Sequence, residues 1–180
     1  VEKYGADAIR YALLSSPVVK GENLQFNDDN VSDVYKKLIS RLENVVSLYG
    51  MNKPEIVEVK NTSANILDRW MISRIHELVR DSTKGYESYM LDDATRGVTD
   101  IIDDLSVWYT RRPRDRLKGD NGEDDKKIAY ETLAYILVNL SKVIAPVMPF
   151  LAERVYQEVL STKESVHLAK WPEGGVIDEQ

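Results

Sequence analysis

Apolar residues recur in steps of three and four along most of this chain, and that spacing limits its possible folds more than anything else in it. Val31, Val34, Tyr35, Leu38, Leu42, Val45 and Tyr49 keep that rhythm, as do Leu67, Trp70, Met71, Ile75, Leu78 and Val79. So do Ala94, Val98, Ile101, Leu105 and Trp108, then Ala129, Leu133, Ile136, Leu137, Leu140 and Ile144, and last Leu151, Val155 and Val159. Residues so spaced share one face of an α-helix, whereas a half-buried strand alternates. Each stripe must be buried against another, and mostly short connections turn successive helices back on one another. The expectation is an all-α, antiparallel helix bundle, with strand limited to short pieces near 56–59 and 165–168.

Punctuation residues set the boundaries. A first helix over 1–14 is stopped by Ser15-Ser16-Pro17. Asn27 is a good N-cap for the second, with Asp28 and Asp29 in its first turn, and Gly50 is expected to end it. Residues 51–64 are polar, contain Pro54 and read as a linker. Asn65 followed by Asp68 resembles a capping arrangement for a third helix, which weakens at Gly85 towards Tyr89. The fourth begins near Leu91 and carries Trp108 on its inward seam, so Trp108 is expected in the core and Tyr109, off the seam, on the surface. Residues 119–125 read as an acidic loop, Pro146 stops the fifth helix, and Pro149 suits the first turn of the sixth. Trp171-Pro172 precedes what reads as a loose end.

Composition narrows the function classes. No cysteine is present, which removes disulfides and thiolate metal sites and fits a reducing cytoplasm. No apolar run approaches the roughly 20 residues of a membrane span, and residues 1–10 have no apolar signal-peptide region. The chain opens at Val1 already in helical rhythm and without methionine, which reads as the edge of a fragment. A net charge of -6 argues against nucleic-acid binding over the whole surface but leaves room for a local basic patch.

Such a patch exists. Arg111, Arg112, Arg114, Arg116 and Lys118 crowd the C-terminal end of the fourth helix, opposed locally by Asp115 alone. One reading is a solvated helix end, since cations there suit the helix dipole. The other is a phosphate-contacting patch, because arginine forks match phosphate oxygens and Tyr109 could stack on a splayed base. Pro113 is expected to kink or stop the helix and redirect the later arginines. Other candidates are weaker. His76 and His167 lack ligand spacing, and adjacent pairs such as Asp92-Asp93 and Asp103-Asp104 diverge by about 100° on a helix. No glycine-rich phosphate loop, catalytic centre or metal site is visible.

Six ordered motifs carry a family resemblance over nearly the whole chain. Tyr4-Gly5-Ala6-Asp7-Ala8-Ile9-Arg10-Tyr11 resembles the segment after the KMSKS loop in the isoleucyl, valyl and leucyl branch of class I aminoacyl-tRNA synthetases. Ser15-Ser16-Pro17-Val18-Val19 with Asn23-Leu24-Gln25-Phe26 resembles its isoleucyl continuation. Leu67-Asp68-Arg69-Trp70-Met71 is similar to the start of the next bundle helix. Asp104-Leu105-Ser106, Trp108-Tyr109 and Arg111-Arg112 together resemble the most recognisable isoleucyl motif. Ala145-Pro146 with Pro149-Phe150-Leu151-Ala152-Glu153, and Ser165-Val166-His167-Leu168 with Trp171-Pro172, complete the set.

The resemblance implies an anticodon-binding domain of an isoleucine-tRNA ligase, packed on the anticodon stem and loop of isoleucine tRNA. It implies a connecting segment at 1–26, a helical bundle at 27–162 and a C-terminal tail at 163–180. Arg111, Arg112, Arg114, Arg116, Tyr109 and Lys118 are then the expected tRNA contacts. ATP and Mg²⁺ would serve the catalytic domain of the same polypeptide, with no cofactor in this chain. The HIGH and KMSKS motifs and the editing domain are not in it, so alone it is expected to be inactive. The same domain of a valyl enzyme and a helical protein-interaction scaffold are the competing readings. Pro113 stands where the family has serine. Leu117-Lys118-Gly119 follow Arg116 where aromatic residues are common, so no stacking role is carried to them.

Overall fold

A computed structural model describes residues 1–178 except Ile56 and Pro113, with the side chain of Asn52 also outside the description. Seven helices are found among the described residues, and no strand. Helix α1 is Gly5–Leu14. Helix α2 runs without a break through Asp28–Val34, a π turn at Tyr35–Ile39, and Ser40–Asn52. Helix α3 is Ile66–Glu87, and α4 is Leu91–Asp103 continued by a second π turn at Asp104–Tyr109. Helices α5 (Arg114–Lys118), α6 (Glu123–Ile144) and α7 (Pro149–Leu160) follow. Two 3-10 turns, Pro17–Lys20 and Val166–Leu168, lie between and after them.

The expected caps form. The Asn27 side chain accepts from the Asn30 amide at 3.1 Å and the Asn30 side chain accepts from the Asn27 amide at 2.9 Å. Asn65 Oδ1 accepts from the amides of Leu67 and Asp68 at 2.9 and 3.4 Å. Gly50 does not end α2. The helix continues to Asn52, and Lys53 turns to ψ 141, as the residue before Pro54 must to avoid the proline ring.

Helix α6 forms the centre. Tyr130, Ala134, Val138 and Val143 are buried besides the six residues of its apolar stripe, so it is apolar almost all round, as befits a helix enclosed by others. Helices α3 and α7 pack along it, α4 lies along α3, and α2 lies against α4 and α7. Gly85, expected only as a weak point, marks the α3–α4 crossing. A Cβ there would stand 2.5 Å from the Ala94 nitrogen. Helix α1 is integral to the bundle: Asp7 Oδ2 accepts from the Leu151 amide at 2.6 Å, and Arg10 Nη2 donates to the Pro146 carbonyl at 2.9 Å.

Two expectations of extended structure change. Of residues 165–168, Val166–Leu168 form a 3-10 turn instead of an extended piece, with Ser165 as its N-cap. Of the stretch near 56–59, Ile56 lies outside the described residues and the rest is not strand. The tail is tied down along α3. Trp171 Nε1 donates to Thr83 Oγ1 at 2.8 Å, and the Asp178 amide donates to Ser73 Oγ at 2.8 Å. His76, buried, bonds the Val176 carbonyl through Nδ1 at 2.8 Å and the Tyr135 hydroxyl through Nε2 at 2.9 Å. It is a structural histidine.

Candidate nucleic-acid interface

The basic patch is shaped by the π turn at the end of α4. Its defining bond, from the Thr110 amide to the Leu105 carbonyl at 3.0 Å, spans five residues. A π turn advances the chain by only about 80° per residue, against about 100° in an α-helix. Trp108, three after Leu105, therefore falls about 120° from it instead of about 60°, while Tyr109, four after it, stays within about 40° of it. Trp108, expected in the core, is 50% exposed, and Tyr109, expected on the surface, is 1% exposed. The sequence-based assignment of this pair is reversed.

Tyr109 points into a buried polar cluster. Its hydroxyl donates to Asp68 Oδ1 at 2.9 Å. Arg116 donates to the same carboxylate from Nη1 and Nη2 at 2.9 and 3.1 Å, and from Nε to both oxygens of Asp125 at 2.9 Å. Asp68 is 0% and Arg116 7% exposed. Burial works against the charge on Arg116, but the hydrogen bonds of Asp125 and Asp68 more than offset it and raise its pKa. The Arg116 hydrogen bond holds the Asp125 carboxyl below its ordinary value. Burial, and then the charge of Asp68, pushes the Tyr109 phenol well above its own. Burial thus removes Arg116 and Tyr109 from the set of side chains that can touch a ligand on the surface. Asp68, read from the sequence only as part of a cap, is the centre of the cluster. The signal for it in the sequence is its register: Met71, Ile72 and Ile75 follow it at helical spacing and are buried, so Asp68 has to face the core.

The remaining cations stay outside. Arg111, Arg112, Arg114 and Lys118 are exposed, and among the described residues none pairs with a carboxylate. They divide between two sides of the helix end. Arg111 and Arg114 line a groove of about 670 Å³ against α2, together with Arg41, Asn44, Leu48 and Val107. Arg112 turns the other way, its guanidinium carbon 4.7 Å from the Trp108 ring centroid, beside a second groove that Trp70 and Leu67 also line. Lys118 lines neither. Arg41 is ion-paired with Asp103, so the free positive charge of the first groove comes from Arg111 and Arg114. Pro113, expected to redirect the later arginines, lies outside the described residues. The result is an exposed cationic edge with an aromatic face and partly apolar grooves, a surface suited to phosphates with bases alongside. Among the described residues no three of His, Cys, Asp and Glu stand together as metal ligands.

Known proteins share this sequence pattern. Residues 68–179 match the family model described as the anticodon-binding domain of tRNA ligase. The chain is 38% identical over 181 residues to the isoleucine–tRNA ligase of Chlamydia trachomatis serovar D, covering 96% of this chain and 17% of that protein. It is 37% identical over 183 residues to the isoleucine–tRNA ligase of Clostridium acetobutylicum, covering 96% of this chain and 18% of that protein. The chain thus spans under a fifth of the length of these relatives.

Proposed function

Since this chain belongs to the family of tRNA-ligase anticodon-binding domains, we propose that it grips the anticodon stem-loop of isoleucine tRNA as one domain of an isoleucine–tRNA ligase. In that enzyme isoleucine would be activated with ATP and Mg²⁺ on a separate catalytic domain of the same polypeptide, in the cytoplasm. Residues 1–26 would connect to that domain, 27–162 would form the tRNA-binding bundle, and 163–180 would be its C-terminal tail. No helix among the described residues is long and apolar enough to cross a membrane.

The observation that carries this reading is the group of exposed guanidiniums of Arg111, Arg112 and Arg114, unpaired among the described residues of a chain with net charge -6. Three cations left free amid so many carboxylates are available to an external anion. Arg111 and Arg114 would take phosphates along the α2 groove. Arg112, lying over Trp108, would take one on the other side, with the exposed indole available to a base. Lys118 would be peripheral. Phosphate contacts fix register without reading sequence.

The test is a salt titration of tRNA binding by the full-length polypeptide and its Arg111→Ala/Arg112→Ala variant. The slope of log affinity against log salt should shrink by about 1 for each phosphate left without its arginine, alike for cognate and non-cognate tRNA. The melting curve should move little, because losing the Arg112–Trp108 stacking costs about 0.5–1 kcal/mol and the remaining exposed change about 0.5 kcal/mol or less. An unchanged slope in the folded variant would leave the arginines as a solvated helix end.

A further inference from the structure

We propose that Asp68 is the positioning residue of the cationic edge, orienting from inside the protein the segment whose arginines meet tRNA phosphates; this rests on the role given above to Arg111, Arg112 and Arg114. Those three residues lie in sequence between Tyr109 and Arg116, and both flanking side chains bond one carboxylate. Tyr109 Oη and Arg116 Nη1 each donate to Asp68 Oδ1 at 2.9 Å, and Arg116 Nη2 donates to Oδ2 at 3.1 Å. Ser63 Oγ donates to Oδ2 at 2.6 Å. The anchor stands in the first turn of α3, whereas Arg111 and Arg112 follow α4 and Arg114 opens α5. The segment is therefore stapled at both ends to an outside point.

Stability alone is a weak reason for such a cluster. Desolvating a carboxylate and a guanidinium offsets most of what their attraction returns, and an apolar pair of similar volume would often hold the helices as well. What an apolar pair lacks is direction. A guanidinium fork meets a carboxylate in one plane, with two parallel bonds. The phenol hydroxyl adds a bond from the opposite end of the segment, so its rotation about the helix end is fixed. Buried Asp68 and partly exposed Asp125 facing the single Arg116 also leave a net negative charge behind the segment, which eases repulsion among its three cations. A segment set in place beforehand has less freedom to lose when phosphates bind.

The experiment measures isoleucine-tRNA affinity across a salt series, and amide hydrogen exchange over residues 109–116 without tRNA, in the full-length polypeptide. Asp68→Asn is made in the wild type and in a background stripped by Arg111→Ala, Arg112→Ala and Arg114→Ala. In the wild type it should weaken binding about tenfold and reduce the salt slope by about 2, as the arginines fall out of register with the phosphates. Exchange over 109–116 should rise while α7 keeps its protection. In the stripped background the same change should alter affinity by less than about twofold, since coupled residues act through one another. Tyr109→Phe deletes one bond without altering charge and should show the same coupling with about a threefold loss; it carries the test if Asp68→Asn does not fold. Wild-type affinity and slope in a folded Asp68→Asn variant would overturn the proposal, as would equal losses in both backgrounds. A stripped variant that binds as tightly as wild type would overturn the phosphate role itself, and the positioning role with it.

Discussion

Truncating Trp108 and Tyr109 separately tests the faces assigned to them at the π turn, because Trp108 returns to within about 60° of Leu105 if α4 ends as a plain α-helix. Tyr109 is 1% exposed and its hydroxyl serves a buried carboxylate. Removing a buried aromatic ring costs about 3–5 kcal/mol through forfeited transfer energy and the cavity left behind. The missing donor to Asp68 adds to this. Trp108 is half exposed, so solvent fills the space it leaves and no cavity cost arises. Roughly half of a full-burial contribution goes, about 1 kcal/mol. The stacking on the Arg112 guanidinium adds about 0.5–1 kcal/mol. Urea denaturation of the chain followed by far-UV circular dichroism separates the two. With a slope of about 2 kcal/mol per molar urea, Tyr109→Ala should lower the midpoint by about 1.5–2.5 M and Trp108→Ala by about 0.5–1 M. Equal losses, or a larger one for Trp108→Ala, would refute the assignment of faces.

Three further outcomes are expected. Gly85→Ala should lower stability by about 1–3 kcal/mol in thermal melts, because its Cβ would overlap the backbone of Ala94 and force α3 and α4 apart; an unchanged melting temperature would contradict so close a crossing. Burial pushes the Tyr49 phenol up from 10.0 to about 12. A raised folded pKa contributes stability that is fully present below the ordinary phenol value and is lost as pH rises through the folded one. Alkaline unfolding should therefore set in between about 10 and 12, with phenolate absorbance of the buried tyrosines appearing together with loss of circular dichroism. The chain alone should form no isoleucyl-adenylate, and isoleucine-dependent pyrophosphate exchange by the pure 180-residue chain would refute this.

The elements and most of the core are legible in the order of residues alone. The three- and four-residue steps from Val98 to Leu105 and from Leu133 to Ile144 allow one helical phase each. Asn27 and Asn65 offer side-chain acceptors to helix-start amides that have no partner within the helix. These are interactions between near neighbours, and local order is enough to read them. The arginine cluster is legible in the same way, as a run of cations along the chain, and the family resemblance implied its tRNA role. Which of its members reach the surface was settled by packing. An α-helical count carries Trp108 inward, but the π turn at Asp104–Tyr109 rotates it out, and such a turn has no strong residue signature. Arg116 looks like its neighbours in the sequence. It is taken from the surface by Asp68, 48 residues earlier, and by Asp125 at the start of another helix. Gly85 reads as a weak helical residue until the backbone of α4 lies against it. The bound tail reads as a loose end until α3 presents His76, Thr83 and Ser73 to it. In each of the last three cases the deciding partner lies on another element, and only the folded bundle brings it within hydrogen-bonding or van der Waals range.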